Sequence, residues 1–328
     1  MPISYLAIIL NGFLVGIFFI YLLERFALRY KILVPQGIPL IGGIAMGASF
    51  LITCLMDLRF YGGFSQEARG IIVTSFIMLI FGIIDDWREL SILAKFSVQI
   101  IAVSLLILFG IRTQIVNIGN AMNIIITFLW ILGISNAFNH LDIIDGLAAG
   151  TAIIASCSFF IISFLNGDIK NAILILALSG VILSFLIRNL PPAKIYMGNA
   201  GSHFLGFTLA AVALAISYAP LERKSALFSP ILILGLPIFD TAFLILVRII
   251  RKKLPFKKSN DHLALRFLAL GYSKKRVLWT MLALGVFFSL CGIFVSQAPN
   301  LFGIITIVIV FLISLAIAKR MGGVVVNG

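Results

Sequence analysis

Apolar residues run through this chain in long stretches, and polar residues interrupt them at near-regular intervals. Eleven stretches read as membrane-spanning helices: residues 3–23, 39–57, 70–84, 94–110, 122–138, 147–165, 172–187, 202–218, 227–248, 277–296 and 301–318. A helix rises about 1.5 Å per residue, so about 20 apolar residues match the hydrocarbon core of a bilayer. The connectors are short and charged or carry Gly and Pro. The last two stretches are parted only by Gln297-Ala298-Pro299-Asn300, a tight turn. No two-residue alternation of the kind a β-barrel needs is present. The pattern predicts an all-α, polytopic integral membrane protein of about 11 helices, forming a single membrane domain over residues 1–328. An odd number of spans places the termini on opposite sides.

Composition agrees with that pattern. Hydrophobic residues make up 61% of the chain and charged residues 11%, with a mean hydropathy of +1.16. A soluble domain carries about 25% charge. The formal net charge of +13 could point to nucleic acid, but the basic residues are sorted by side. With the N-terminus outside, the inner connectors hold 19 of the 25 Lys and Arg, and Arg59, Arg69, Arg112, Lys170, Arg223 and Lys224 remain outside. That bias sets an N-out/C-in orientation. The positive excess is this topology signal plus a basic segment at 248–276, so no nucleic-acid partner is expected. Cys54, Cys157 and Cys291 are scattered through apolar segments with no CxxC spacing, which argues against a metal or disulfide role. Met1-Pro2-Ile3-Ser4 lacks the basic start of a cleaved signal, so the first apolar run is expected to be retained.

The acids narrow the chemistry. Of the 12 Asp and Glu, eight fall inside: Glu24, Asp85, Asp86, Glu89, Asp142, Asp145, Asp240 and Asp261. Carboxylates at membrane ends are costly to desolvate and mark candidate sites. Asp85-Asp86 closes the third span. Adjacent carboxylates repel unless a cation or proton intervenes, and Mg²⁺ takes one or two carboxylates plus substrate phosphates. The plainer alternative is a solvated loop start paired with Arg88. Asn136, Asn139, Asp142 and Asp145 recur every third residue at the end of the fifth span. On a helix they would make one slowly drifting polar stripe ending at Gly146, a natural helix terminator. Gly198-Asn199-Ala200-Gly201-Ser202 leads into the eighth span, and glycines before a helix start let backbone N–H groups approach an anion. In the long inner loop, Lys252, Lys253, Lys257 and Lys258 read as an anchor to anionic lipid. His262 and Arg266, four apart, would share a helix face and could aim at a phosphate.

Taken together, these segments resemble the polyprenyl-phosphate N-acetylhexosamine-1-phosphate transferase family. The matching pieces run in the family's order from Pro39-Leu-Ile-Gly-Gly through Asp85-Asp86, Asn136–Gly146 and Met197–Ser202 to Pro237-Ile-Phe-Asp240 and Asp261-His262. The resemblance covers roughly residues 31–276. It implies transfer of a HexNAc-1-phosphate, with GlcNAc-1-phosphate favoured, from a UDP-amino sugar to a polyprenyl phosphate such as undecaprenyl phosphate. UMP is released, and the step opens a cell-envelope glycan pathway. It further implies Mg²⁺ as cofactor, which Mn²⁺ could replace, and a multi-pass protein of the bacterial inner or plasma membrane. The active-site loops, around 24–39, 85–95, 136–147, 188–202 and 249–276, would face the cytoplasm; a homodimer is left open.

By the same resemblance, Asp85 and Asp86 are expected to serve as catalytic base or to position metal and nucleophile. Asp142 and Asp145 would shape the nucleotide–metal site, and Tyr196 would stack on uracil. Asn136, Asn139, Lys95 and Gly198 complete the substrate-binding set with His262 and Arg266, which would grip the diphosphate. Asn199 stands where the family has a metal-binding Asp, offering a carbonyl oxygen without the charge. The family's His-x-His-His loop survives only as His262-Leu263-Ala264-Leu265, and His203 replaces an apolar residue. These departures support the alternative of a catalytically impaired member that binds lipid phosphate or nucleotide. A cation-coupled transporter, the third reading, would need midplane charges or internal repeats.

Overall fold

Helices fill the apolar runs of the chain. The computed structural model describes residues 5–61, 65–116, 118–219, 222–252, 254, 261–324 and 326. The expectations for residues 1–4 and for Lys253, Lys257 and Lys258 lie outside these. Packing divides the chain into two units, Met1–Ser217 and Tyr218–Gly328.

The first unit is built from α1 (Tyr5–Tyr30), α2 (Gly42–Tyr61), α3 (Gln66–Trp87), α4 (Ile92–Leu108), α5 (Gly119–Leu141), α6 (Leu147–Leu165), α7 (Ile169–Asn189) and α8 (Gly198–Ala215). Its centre is α8, in which every residue from Ala200 to Ala213 is buried. Around it pack α2, α3, α5 and α6. Without a hydrophobic drive between helices in lipid, association rests on close packing of small residues. The seam between α1 and α7 shows this. A Cβ on Gly12 would lie 2.7 Å from the Ala177 carbonyl oxygen, and one on Gly180 would lie 2.2 Å from that of Ile9. The α3–α8 seam closes in the same way at Gly82, and the Thr208 hydroxyl donates to Ser75 Oγ at 2.8 Å within it.

The second unit holds α9 (Ser229–Ile233), α10 (Gly235–Ile250), α11 (Leu263–Ala269), α12 (Lys274–Gln297) and α13 (Asn300–Gly322). The expected span 227–248 is broken here: the helical stretch Lys224–Ile233 meets α10 at 76°. Pro237 has no N–H to give to the Ile233 carbonyl four residues back. The Ser289 hydroxyl on α12 donates to that carbonyl instead, at 3.2 Å.

Ten of the expected stretches each overlap one helix, and 227–248 falls on the broken pair of α9 and α10. Seven of the helices among the described residues (α1, α3, α5, α6, α7, α12 and α13) are long and apolar enough to cross a membrane alone. The bent pair makes an eighth if counted as one span, while Gly42–Met56 and Ile92–Leu108 are shorter apolar helices. Outward faces are apolar too: Leu301, Phe302, Ile304, Val308 and Phe311 of α13 are exposed. Such a surface is suited to lipid and makes this a multi-pass membrane protein.

Candidate active site

The acids of the first unit gather where the C-terminal ends of α3 and α5 meet the N-terminal end of α8. Asp85 is buried near the end of α3. Its Oδ2 lies 2.7 Å from Lys95 Nζ on α4, and its Oδ1 accepts the Leu90 N–H at 2.9 Å. Lys95 and Asp85 thus fasten the turn between α3 and α4.

Asp86 reaches a different element. Its two oxygens accept the N–H groups of Asn199 at 2.8 Å and Ala200 at 3.0 Å. These belong to the first turn of α8, where N–H groups lack intrahelical partners and the helix dipole is positive. Gly198 makes the approach possible: its φ is +71°, and a Cβ there would fall 2.5 Å from Asp86 Oδ2. The anion cradle expected at Gly198–Ser202 therefore exists, but its occupant is the protein's own carboxylate. Gly198 itself stands against the Asp86 carboxylate.

The polar stripe at the end of α5 also needs correction. The helix stops at Leu141, with Asp142 as its C-cap. Gly146, left-handed at φ +80°, caps the start of α6 and does not end α5. The side chains therefore diverge from one face. Asn136 exchanges amide hydrogen bonds with Gln99 on α4, at 3.1 and 3.4 Å. Asn139 Nδ2 donates to Asn199 Oδ1 at 2.8 Å and to Ser202 Oγ at 2.9 Å on α8. Asp145 Oδ2 accepts the Ala193 N–H at 3.1 Å. Asp142 receives no hydrogen bond among the described residues, and burial, reinforced by the charges of Asp86 and Asp145, pushes its carboxyl up to about 7.

Two residues missed in the sequence tie this region together. Asn189, buried at the end of α7, accepts the Gly146 N–H at 2.9 Å and donates to the Ile195 carbonyl at 2.9 Å. It clamps the Asp142–Asp145 turn to the turn that carries Tyr196. Gln99 is the buried partner of Asn136. The available signal was a lone amide in an apolar helix, which must find a partner when buried. Tyr196 is half-buried, and its backbone bonds to Pro39 and Gly42 at 2.9 Å each. That pairing explains why Pro39-Leu-Ile-Gly-Gly belongs with the site motifs. His203 sits deeper in α8, with Ser135 Oγ at 3.4 Å and the Phe81 ring 5.2 Å away.

His262 and Arg266 lie in the second unit. His262 is the N-cap of α11, outside its helical residues. Its Nδ1 is 2.8 Å from Asp240 Oδ2, while Asp240 Oδ1 accepts the Leu263 N–H at 2.8 Å. Arg266 is fully buried. Its guanidinium donates to the carbonyls of Asp261, Met321, Gly322 and Val324 and to the Asp261 carboxylate, and it stands over the Phe243 ring. In this structure the side chain braces the end of α13 against Asp261.

Among the described residues, no three His, Cys, Asp or Glu side chains form a ready cation cage. This end of the first unit brings together Asp85, Asp86, Asp142 and Asp145 with one ion-paired lysine, and Asp142 receives no hydrogen bond among the described residues. Such a set of hard oxygen donors fits Mg²⁺, an ion that takes one or two carboxylates and leaves other positions to water or substrate phosphates.

The fold is that of a multi-pass membrane protein with acids gathered at one end of its first unit, and comparison with known proteins specifies the class. Residues 68–217 match the family described as Glycosyl transferase family 4. A protein of Bacillus subtilis (strain 168) named probable undecaprenyl-phosphate N-acetylglucosaminyl 1-phosphate transferase is 32% identical over 297 residues, covering 87% of this chain and 80% of the relative. The decaprenyl-phosphate N-acetylglucosaminephosphotransferase of Mycobacterium tuberculosis (strain ATCC 25618 / H37Rv) is 31% identical over 273 residues, covering 73% and 67%. The phospho-N-acetylmuramoyl-pentapeptide-transferase of Shouchella clausii (strain KSM-K16) is 29% identical over 282 residues, covering 80% and 84%. The chain belongs to this family of polyprenyl-phosphate sugar-1-phosphate transferases.

Proposed function

We propose that the protein transfers a HexNAc-1-phosphate, GlcNAc-1-phosphate first among them, from a UDP-sugar to a polyprenyl phosphate. The observation that carries this reading is the joining of Asp86 to the first turn of α8, with Asp142 close enough to feel its charge. A phosphate oxygen of the lipid attacks the sugar-bound phosphorus of the UDP-sugar. The P–O bond to the UMP phosphate breaks, and UMP leaves with the electron pair. Two anionic reactants must approach one another, so cationic neutralisation is the main catalytic need. Asp86 and Asp142, with Asn199, would hold Mg²⁺, which would supply charge neutralisation and orientation of the diphosphate. Asp86 is aimed by its two N–H donors. Lys95 holds Asp85 in place, and Asn139 orients the Asn199 amide. Tyr196 offers its ring to the uracil.

The sorting of 19 basic residues to one side and 6 to the other supports eleven crossings with the N-terminus outside. The acid site then faces the cytoplasm, where UDP-sugars are made, in the cell membrane. Asn199 and the reduced histidine loop support a second reading, a binding protein that has lost turnover. Release of UMP from a panel of UDP-amino sugars decides between them. Release that requires both undecaprenyl phosphate and Mg²⁺ supports the transferase. Saturable binding of either substrate without UMP release supports the second reading.

A further inference from the structure

The ends of α3, α4, α7 and α8 farthest from the acid site enclose a second polar feature. A cavity of about 380 Å³ opens there, lined by Glu67, Arg112, Gln114, Asp168, Lys170 and Asn171 among others. Its size falls in the ~300–1,000 Å³ range of small-molecule sites. From Gln66 to Asp85 runs most of α3, about 29 Å at 1.5 Å per residue. The cavity is therefore about one hydrocarbon thickness from the acids.

Its walls are fixed by hydrogen bonds. The Thr113 N–H donates to Thr127 Oγ1 at 2.9 Å, and the Thr113 hydroxyl donates to the Asn123 carbonyl at 2.7 Å. The Ile115 N–H donates to Asn123 Oδ1 at 2.8 Å. These bonds hold the Arg112 loop on α5. Asn171 Nδ2 donates to the Ala215 carbonyl at 3.2 Å, tying the start of α7 to the end of α8.

The acids at the rim are already employed. Asp168 caps α7, accepting the Asn171 N–H at 3.3 Å and Asn171 Nδ2 at 2.7 Å. Glu67 accepts its own N–H and the Ser65 hydroxyl in the first turn of α3, and Lys170 stands near it. Arg112 is half-buried and has no acceptor among the described residues. The starts of α3 and α7 add their positive dipole ends. Glu67 and Asp168 balance Lys170 and Arg112 in formal charge, Lys170 stands beside Glu67, and Arg112 is the cation left without an acceptor among the described residues.

We propose that this cavity binds a phosphate-bearing anion, either the headgroup of an anionic phospholipid or a soluble phosphate ester, with Arg112 and Lys170 as its cationic contacts. Arginine suits the role because its planar fork meets two phosphate oxygens at once, and basic pockets between membrane helices take anionic headgroups. The site is independent of the transfer chemistry at the other end of the unit.

The test titrates full-length protein in neutral detergent with phosphatidylglycerol, phosphatidylcholine, glycerol 3-phosphate and inorganic phosphate. Binding is followed by native mass spectrometry and thermal unfolding. One equivalent of phosphatidylglycerol or of glycerol 3-phosphate should bind saturably. Arg112→Gln should weaken it tenfold or more, and Arg112→Lys should recover part of the loss. Binding of the lipid alone assigns the site to a headgroup, and binding of the glycerol ester or inorganic phosphate assigns it to a soluble anion. Equal affinity in wild type and Arg112→Gln, equal uptake of phosphatidylcholine, or saturation by none of the four overturns the proposal. Should Arg112→Gln fail to fold, Lys170→Gln, on an exposed position, replaces it and should also weaken binding.

Discussion

Among the described residues Asp142 receives no hydrogen bond, unlike its acidic neighbours. Burial, with the charges of Asp86 and Asp145, raises its carboxyl from 3.8 to about 7. The folded protein thus holds a proton there that the unfolded chain releases. Stability from this group is fully present below pH 4, falls as pH rises and is lost above about pH 7. Asp142→Asn should therefore raise the melting temperature in EDTA at pH 8 by a few degrees and leave it unchanged at pH 4. An equal effect at both pH values would show that the charge is compensated. At Asn199, restoring a charge should matter in the opposite sense: Asn199→Asp should lower the Mg²⁺ concentration for half-maximal activity severalfold. An unchanged requirement removes this position from the metal site. At this scale the sequence was informative about which residues gather and less about what each one touches. Asp85-Asp86, Asn139, Asp142 and Asp145 do converge. Arg266 looked like a ligand-binding cation because charge is visible in a sequence, whereas the carbonyls of 321, 322 and 324 that consume it are not.

Among the elements, α8 determines the site because it is buried along its length and presents its first turn to Asp86. Its approach to α3 depends on Gly82, where a Cβ would lie 2.4 Å from Ala200 Cα. Gly82→Val should push the helices apart, lower the melting temperature by several degrees and reduce activity at least tenfold. A variant with native stability and activity would show that the seam is slack. Helix positions were legible because apolar runs and breakers are local. Where α5 ended was not, since a three-residue polar spacing continues smoothly through the turn at Asp142–Gly146. The break at Leu234 was also hidden, because the Ile233 carbonyl that Pro237 leaves free is satisfied by Ser289 from a distant helix.

At the scale of the molecule, the membrane is the property most plainly legible in the sequence. Apolar residues cover both the core and the outer faces of the helices, so hydropathy finds spans but cannot say which side of a helix meets protein. Sidedness rests on the 19-to-6 division of basic residues, and it makes a prediction of its own. A single cysteine placed at the exposed Glu89, in a background free of Cys54, Cys157 and Cys291, should resist a membrane-impermeant maleimide in intact cells and react after permeabilisation. Reaction in intact cells would reverse the orientation.

The central claim is that the acids at the end of the first unit move a sugar phosphate onto a lipid phosphate. Purified protein in mixed micelles with undecaprenyl phosphate, Mg²⁺ and UDP-GlcNAc labelled in the β-phosphate tests it directly, with label in the extracted lipid as the readout. Wild type should transfer label to lipid, and folded Asp86→Asn should transfer at least a hundredfold more slowly. Equal rates in the two proteins, or no labelled lipid from folded wild type with any UDP-amino sugar, would contradict the account.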